Sequence, residues 1–191
     1  MAEKNKIILD LGAVVKIHPD LTTVDVQRGA DIVCNLSNGL PFKDRSVNRI
    51  ISNHLIEHLS LPDGLALLKE CHRVLKRGST LTVITPDLYS IAIDYLIRGL
   101  NTQIINDNLY PEEGSSFFNR HLCCYDFRIL GEYFVDAGFK EVKLETPGSN
   151  LGFYYENFYK DFEIREIKDF SIHGEYYTSN LTLQVSGKKT K

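Results

Sequence analysis

The chain has 191 residues and a formal net charge of -3, with 43% of its residues hydrophobic and 25% charged. These values are ordinary for a globular protein with one buried core, so we expect a single domain over residues 1–191, with 187–191 as a frayed tail. The weak negative charge argues against a general attraction to nucleic acid or to a membrane surface. Because no apolar run is long enough for a signal peptide or a spanning helix, we predict a cytoplasmic protein.

The four cysteines, Cys34, Cys71, Cys123 and Cys124, show no Cys-x-x-Cys spacing. We therefore expect reduced thiols, with no disulfide framework and no metal cluster.

Short apolar runs alternate with helical patterns in the first half of the chain. We predict strands at 7–11, 21–26, 31–36, 49–53 and 79–85, and helices at 55–59 and 62–75. The second helix ends at cations followed by Gly78, as helix C-termini commonly do. Only residues 13–20 separate the first two strands, so the crossover helix there must be short or missing, since Pro19 opposes helical geometry.

The second half continues the alternation. We predict a helix at 125–137 with Asp126 as its cap, and strands at 141–145, 164–170 and 180–186. The polar stretches 100–119 and 147–160 are expected to form loops over a site. Strands that alternate with helices indicate an α/β fold with a mainly parallel, doubly wound sheet covered on both faces.

Ligands of such a sheet bind outside the carboxyl ends of its strands, so the residues that follow each strand are the candidate site. Gly12 follows the first strand and would let a ligand approach the backbone closely. Asp25 ends the second strand, where a carboxylate can accept both hydroxyls of a ribose. A turn at Gly12 and a loop cap at Asp25 are the structural alternatives. Other polar residues at strand ends are Asn35, Asn53, His54 and Asp87.

Three motifs in order carry a family resemblance. They are residues 40–47, which open with Leu40-Pro41-Phe42, the segment Ser52-Asn53-His54-Leu55-Ile56-Glu57-His58-Leu59, and residues 68–78, which close with Arg73-Val74-Leu75-Lys76-Arg77-Gly78. Together they resemble the class I S-adenosylmethionine-dependent methyltransferases, in particular small predicted ones of the polysaccharide and sugar-modification type. The resemblance covers roughly residues 7 to 145.

The resemblance implies a Rossmann-like sheet of seven strands, mostly parallel with an antiparallel last strand, and S-adenosylmethionine as cofactor. It also implies methyl transfer to an oxygen or nitrogen of a small-molecule or glycan acceptor. Cofactor-binding residues would be Gly12, Asp25, Asn35, Leu36, Asn53 and His54. Catalytic candidates would be His121, His54 and Asp87, with His121 as the first choice of base; for each of them a structural role is the alternative.

The chain departs from the family pattern where Ala13 and Val14 follow Gly12, since the pattern has a second glycine there. This departure motivates an alternative, a catalytically inactive methyltransferase-like module that binds a partner. The aromatic run 153–159 could serve such a role or stack on an acceptor.

A remote alternative is a zinc hydrolase, because His54, Glu57 and His58 match the H-x-x-E-H pattern. That pattern requires both histidines inside one helix. The predicted strand before His54 places this residue at the helix entrance, so we predict no metal site.

Overall fold

The computed structural model describes residues 6–98, 102, 120–144 and 182–190. Seven strands and three helices lie in these ranges. The strands are β1 (Ile8–Leu11), β2 (Leu21–Asp25), β3 (Ile32–Val33), β4 (Val47–Asn53), β5 (Leu75–Pro86), β6 (Lys140–Leu144) and β7 (Thr182–Lys188). The helices are α1 (Leu61–Val74), α2 (Leu88–Arg98) and α3 (Phe127–Asp136), and 3₁₀ turns lie at Leu36–Asn38 and Ile56–His58.

The strands form one sheet in the order β3-β2-β1-β4-β5-β7-β6. The first five strands run parallel, while β7 lies antiparallel between β5 and β6. The order reverses at β1, whose neighbours are β2 and β4. The carboxyl ends of these strands therefore meet at the switch point where ligands bind in such sheets. The predicted seven-stranded sheet with an antiparallel last strand is confirmed.

The hydrophobic core lies on one face of the sheet, where α1 and α3 pack against the strands and each other. Leu67 and Leu68 of α1 and Phe134 of α3 are almost completely buried there. Ser60 caps α1 through its hydroxyl, and Asp126 caps α3 by accepting from the amide of Ile129 at 2.8 Å. The predicted cap at Asp126 is confirmed.

The opposite face carries polar side chains near the middle of β1. Asp10 is in register with Thr23 of β2 and Ile51 of β4, and Ile51 is in register with Thr82 of β5. The links 12–20 and 26–31, which join β1 to β2 and β2 to β3, contain no helix. The shortened first link, for which the sequence predicts a short or missing crossover helix, is confirmed.

Other boundaries differ from the prediction. The predicted helix 55–59 is a single 3₁₀ turn, because a buried strand ends only three residues before it. The predicted strand 31–36 is reduced to Ile32–Val33, since Asn35 accepts from the amide of Ser37 and starts a 3₁₀ turn. The predicted strand 164–170, the predicted loop 147–160 and the aromatic run 153–159 lie outside the described residues. The predicted loop 100–119 also lies outside them except for residue 102, which is helical.

The predicted tail 187–191 is wrong in its first half. Strand β7 reaches Lys188, and Lys189 is 4% exposed. The Nζ atom of Lys189 donates to the carbonyl oxygens of His72 and Arg73 at 2.6 and 3.2 Å. A cation at the C-terminal end of α1 satisfies carbonyls that have no partner inside the helix, which explains why this lysine is ordered.

The Leu-Pro-Phe and Arg-Val-Leu motifs meet at Arg73. Its guanidinium donates to the carbonyl oxygens of Leu40 and Phe42 at 3.0 Å, to Glu70 at 2.8 Å and to Asp44 at 2.6 Å. The hydrogen bonds to Glu70 and Asp44 hold the pKa of Arg73 above its ordinary range. These two motifs therefore fix the turn before β4 onto α1, which is a structural role.

Candidate functional site

A cavity of about 320 Å³ opens at the carboxyl ends of β1, β2 and β4. This is the edge of the sheet at which the strand order reverses. Its lining comes from the ends of the strands, from both 3₁₀ turns and from the segment before α3. The lining residues are Gly12, Asp25, Val26, Gln27, Asn35, Leu36, Ser37, His54, Leu55, His58, Leu59, Arg120 and Leu122.

Asp25 is the acidic residue of the cavity wall. It is 6% exposed, and its Oδ1 atom accepts from the amide of Gln27 at 2.7 Å. Among the described residues, no donor reaches the other oxygen, Oδ2. A buried carboxylate normally fills its acceptor positions, so Oδ2 is available to a ligand in the cavity. Burial raises the pKa of the Cys34 thiol, and the negative charge of Asp25 raises it further.

Gly12 allows the turn after β1 to pack closely against the loop after β4. Its amide donates to the carbonyl of Val24 at 2.9 Å, and its φ of +81° lies in the left-handed region. A Cβ atom at this position would lie 2.9 Å from Cβ of Leu55. Glycine is therefore required by backbone conformation and by space, and a turn role accounts for both observations.

The 3₁₀ turn after β3 forms another wall. Asn35 caps it, with Oδ1 accepting from the amide of Ser37 at 3.0 Å. Leu36 is 6% exposed and belongs to the core as well as to the cavity lining. Asn35 and Leu36 thus contribute one amide side chain and one apolar surface to the cavity that Asp25 also lines.

His54 enters the cavity wall directly after β4. Its amide donates to the carbonyl of Ile84 at 2.9 Å, and its φ of +50° is uncommon for a residue with a side chain. The Nδ1 atom lies 2.9 Å from Oε1 of Glu57, and Oε2 of Glu57 accepts from the hydroxyl of Thr85 at 3.0 Å. The side chain of His54 is 46% exposed, whereas that of Glu57 is 1% exposed. Both oxygens of the buried Glu57 carboxylate therefore have a hydrogen-bond partner, and this carboxylate orients the half-exposed imidazole of His54.

His58 and His121 lie side by side. Their ring centroids are 4.8 Å apart with the planes at 65°, and Nδ1 of His58 lies 3.1 Å from the carbonyl oxygen of Arg120. One ligand atom each of Glu57, His58 and His121 lies within 4.8 Å of the others. His58 lines the cavity, as do Arg120 and Leu122 on either side of His121.

Two predicted site residues do not belong to this group. Asn53 is exposed at the end of β4 and does not line the cavity. Asp87 is completely buried, and it accepts from the amides of Tyr89 and Ser90 and from the Ser90 hydroxyl at the start of α2. Burial is the main cause that raises the pKa of Asp87 to about 6. Asp87 therefore has the structural role of a helix cap and does not line the cavity, and its catalytic role stays a prediction.

The sequence interpretation gave Glu57 and His58 no role outside the zinc alternative and did not consider Asp10. Asp10 is 6% exposed, and burial raises the pKa of its carboxyl. The available signal was an acidic residue inside the apolar run of β1. For Glu57 no comparable signal exists, because its partner Thr85 lies 28 positions away. The H-x-x-E-H alternative is wrong, since His54 lies outside the 3₁₀ turn that carries Glu57 and His58.

Residues 10–83 match a family model described as a methyltransferase domain. The chain has the fold of S-adenosylmethionine-dependent methyltransferases. A methyltransferase of this type from Thermotoga maritima, described as a possible histamine N-methyltransferase, is 19% identical, with a TM-score of 0.55 over 97% of this chain and 83% of that one. One from Methanosarcina mazei is 15% identical, with a TM-score of 0.57 over 99% and 95%.

Haemonchus contortus phosphoethanolamine N-methyltransferase 2, solved in complex with S-adenosyl-L-methionine, is 13% identical. Its TM-score is 0.52 over 97% of this chain and 49% of that one. No curated protein matches the sequence. No helix in the described part of the chain is both long and apolar enough to cross a membrane.

Proposed function

We propose that the chain is an S-adenosylmethionine-dependent methyltransferase acting on an oxygen or nitrogen of a small-molecule or glycan acceptor. The observation that carries the proposal is the buried carboxylate of Asp25, which lines the cavity at the switch point with Oδ2 unpartnered among the described residues. The methyltransferase-domain match over residues 10–83 supports the same cofactor.

The cavity residues fit the cofactor by their chemistry. Asp25 would accept hydrogen bonds from the ribose hydroxyls, while Asn35 and Leu36 would offer an amide and an apolar surface to the adenine. Gly12 would leave its backbone accessible near the methionine part. When bound, the cofactor supplies a methyl group already activated on a sulfonium. The protein must then position the acceptor and take up a proton.

His54 is the residue best arranged to take up that proton. Because Glu57 holds its Nδ1 atom, the neutral tautomer with the proton on Nδ1 leaves Nε2 as an acceptor. The same carboxylate stabilises the imidazolium that forms when the proton arrives. We therefore assign the base to His54, and not to His121 as the sequence first suggests, whose ring packs against His58.

The acceptor and the cellular location are finer parts of the proposal. The resemblance to sugar-modification methyltransferases favours a glycan or sugar hydroxyl, and the exposed Arg120 at the cavity offers a donor to such a group. The free thiols of Cys34, Cys71, Cys123 and Cys124 are typical of a reducing cytoplasm.

Calorimetric titration of the purified chain with S-adenosylmethionine and S-adenosylhomocysteine tests the proposal. Micromolar binding of one equivalent is expected, and it would justify a screen of sugar acceptors. Absence of binding at millimolar ligand would overturn it.

A second candidate, an inactive partner-binding module, rests on the loop after β1. Val14 turns toward Gly29, whose added Cβ would lie 3.0 Å from Cγ1 of Val14. This loop therefore packs onto the link after β2, with a side chain where the family pattern has glycine. A chain that binds S-adenosylhomocysteine but methylates no acceptor in a broad screen would favour this candidate.

A further inference from the structure

We propose that Glu57, His58 and His121 form a site for one divalent transition-metal ion beside the cavity. Each contributes one ligand atom, and these atoms lie within 4.8 Å of one another. Two imidazoles and one carboxylate form the donor set of many catalytic zinc sites, which keep a further position open to solvent or substrate. The proposal concerns metal binding itself and does not rest on the proposed methyltransferase activity.

The spacing of the three ligands is close to that of a bound ion. Metal bonds of about 2.1 Å in a tetrahedral arrangement place ligand atoms roughly 3.4 Å apart. The separations here need to close by little more than 1 Å, which is on the order of a small side-chain rotation. His58 and His121 are both only partly buried, so their rings have room for this adjustment.

The orientation of His58 suits a ligand. Its Nδ1 atom lies 3.1 Å from the carbonyl oxygen of Arg120, so the neutral ring donates there and leaves Nε2 unprotonated. Metal-binding histidines commonly donate their second nitrogen to a carbonyl or carboxylate in this way, which fixes the tautomer.

Glu57 supplies a buried negative charge. Its side chain is 1% exposed, and among the described residues the only basic group within ion-pair distance is His54, which is neutral in the base role proposed above. A carboxylate accepts about four hydrogen bonds or metal contacts, and its described side-chain partners, His54 and Thr85, occupy two of these. Buried charges are usually paired or bound to metals, and a cation at His58 and His121 would complete the compensation.

The backbone holds the two ligand-bearing segments together. The carbonyl oxygen of Glu57 accepts from the amides of Leu122 and Cys123 at 2.7 and 3.2 Å. The Cys123 thiol donates to the carbonyl of Leu59 at 3.1 Å. Segments 57–59 and 120–123 are therefore joined on both sides of the ligands. This arrangement reduces the cost of assembling the site when an ion arrives.

His54 is not part of this site, although it belongs to the H-x-x-E-H pattern. The site instead pairs Glu57 and His58 with a histidine 63 positions further along the chain. His58 also lines the cavity, so an ion held there would have its open position at the cavity wall.

The full chain, stripped of metal with a chelator, is titrated with Zn²⁺ by calorimetry and with Co²⁺ by visible absorption. We expect one equivalent of each to bind, with ligand-field bands of a low-symmetry Co²⁺ site. His58→Ala and His121→Ala should each weaken binding at least about tenfold. His18→Ala is the matched control, because its side chain is 62% exposed and remote from the site in sequence.

Glu57→Gln is measured only where its thermal unfolding matches that of the wild type, since this residue is buried. The two histidine variants test the site without it. Absence of stoichiometric binding, or binding that survives in the double variant His58→Ala/His121→Ala, would overturn the proposal. Titration with S-adenosylhomocysteine in the absence of metal is scored separately, so the metal site and the methyltransferase assignment can fail independently.

Discussion

The Nδ1 atom of His54 lies 2.9 Å from Oε1 of Glu57, and this contact joins a half-exposed imidazole to a buried carboxylate. Thr85 holds the second oxygen of the same carboxylate from β5. The orientation of the imidazole thus depends on β4, which precedes His54, and on β5, which carries Thr85. These two strands are neighbours only in the folded sheet. His54 also adopts a left-handed backbone conformation, which non-glycine residues seldom adopt without support from their surroundings.

His54→Ala should lower the rate of methyl transfer by on the order of 100-fold or more, as expected when a general base is lost. The affinity for S-adenosylhomocysteine, measured by calorimetry, should change far less. His121→Ala serves as the comparison and should reduce turnover less than His54→Ala does. A variant lacking His54 with wild-type turnover would remove this residue from the mechanism.

Asp25→Ala should weaken S-adenosylmethionine binding, because a charged acceptor for two hydroxyls is lost. A loss of about 1.5–3 kcal/mol, or roughly 10- to 150-fold in affinity, is expected per charge-assisted bond. Asp20→Ala is the control, since the Asp20 side chain is 80% exposed in the link before β2. Equal affinities of the two variants would mean that the cofactor does not bind at Asp25.

Gly12→Ala should destabilise the fold more than Gly78→Ala. Both glycines have a positive φ, at 81° and 77°, but an added Cβ at Gly78 meets nothing within 4 Å. Gly78→Ala should cost about 1–2 kcal/mol of unfolding free energy for the left-handed backbone. Gly12→Ala should cost roughly 1–3 kcal/mol more, because Leu55 must move. Urea unfolding of both variants measures the difference, and equal losses would contradict the close packing.

Asp87 should make the protein less stable as the pH rises. Burial, assisted by Asp126, raises its pKa from an ordinary value of 3.8 to about 6, so the folded state binds its proton more tightly than the unfolded state. The resulting stabilisation is complete below the unfolded value and is lost as the pH rises through about 6. It amounts to up to about 3 kcal/mol.

In the variant Asp87→Asn the side chain cannot ionise but can still cap α2. The variant should therefore not show this loss of stability as the pH rises. The unfolding free energy of wild type minus that of Asp87→Asn, from denaturation between about pH 4 and pH 7, should therefore fall with rising pH. Parallel curves would show that Asp87 has an ordinary pKa.

Much of the candidate site was predictable because it lies at strand ends. Gly12 and Asp25 follow apolar runs that are readable as strands, and their position at the sheet edge follows from parallel topology. Asn53 and Asp87 met the same criterion and proved to lie away from the cavity. A position directly after a strand tells us at which edge of the sheet the residue lies. It does not determine whether its side chain turns toward the cavity or caps the next helix.

The sequence alone determined the order of elements, the parallel sheet and the missing first crossover helix, because hydrophobic periodicity, glycine and proline act over a few neighbouring residues. Only the tertiary structure decided that Glu57 is buried between His54 and Thr85 and that His58 lies beside His121. These contacts join residues from separate strands, turns and loops. Such contacts depend on how elements pack in three dimensions, which local sequence patterns do not encode.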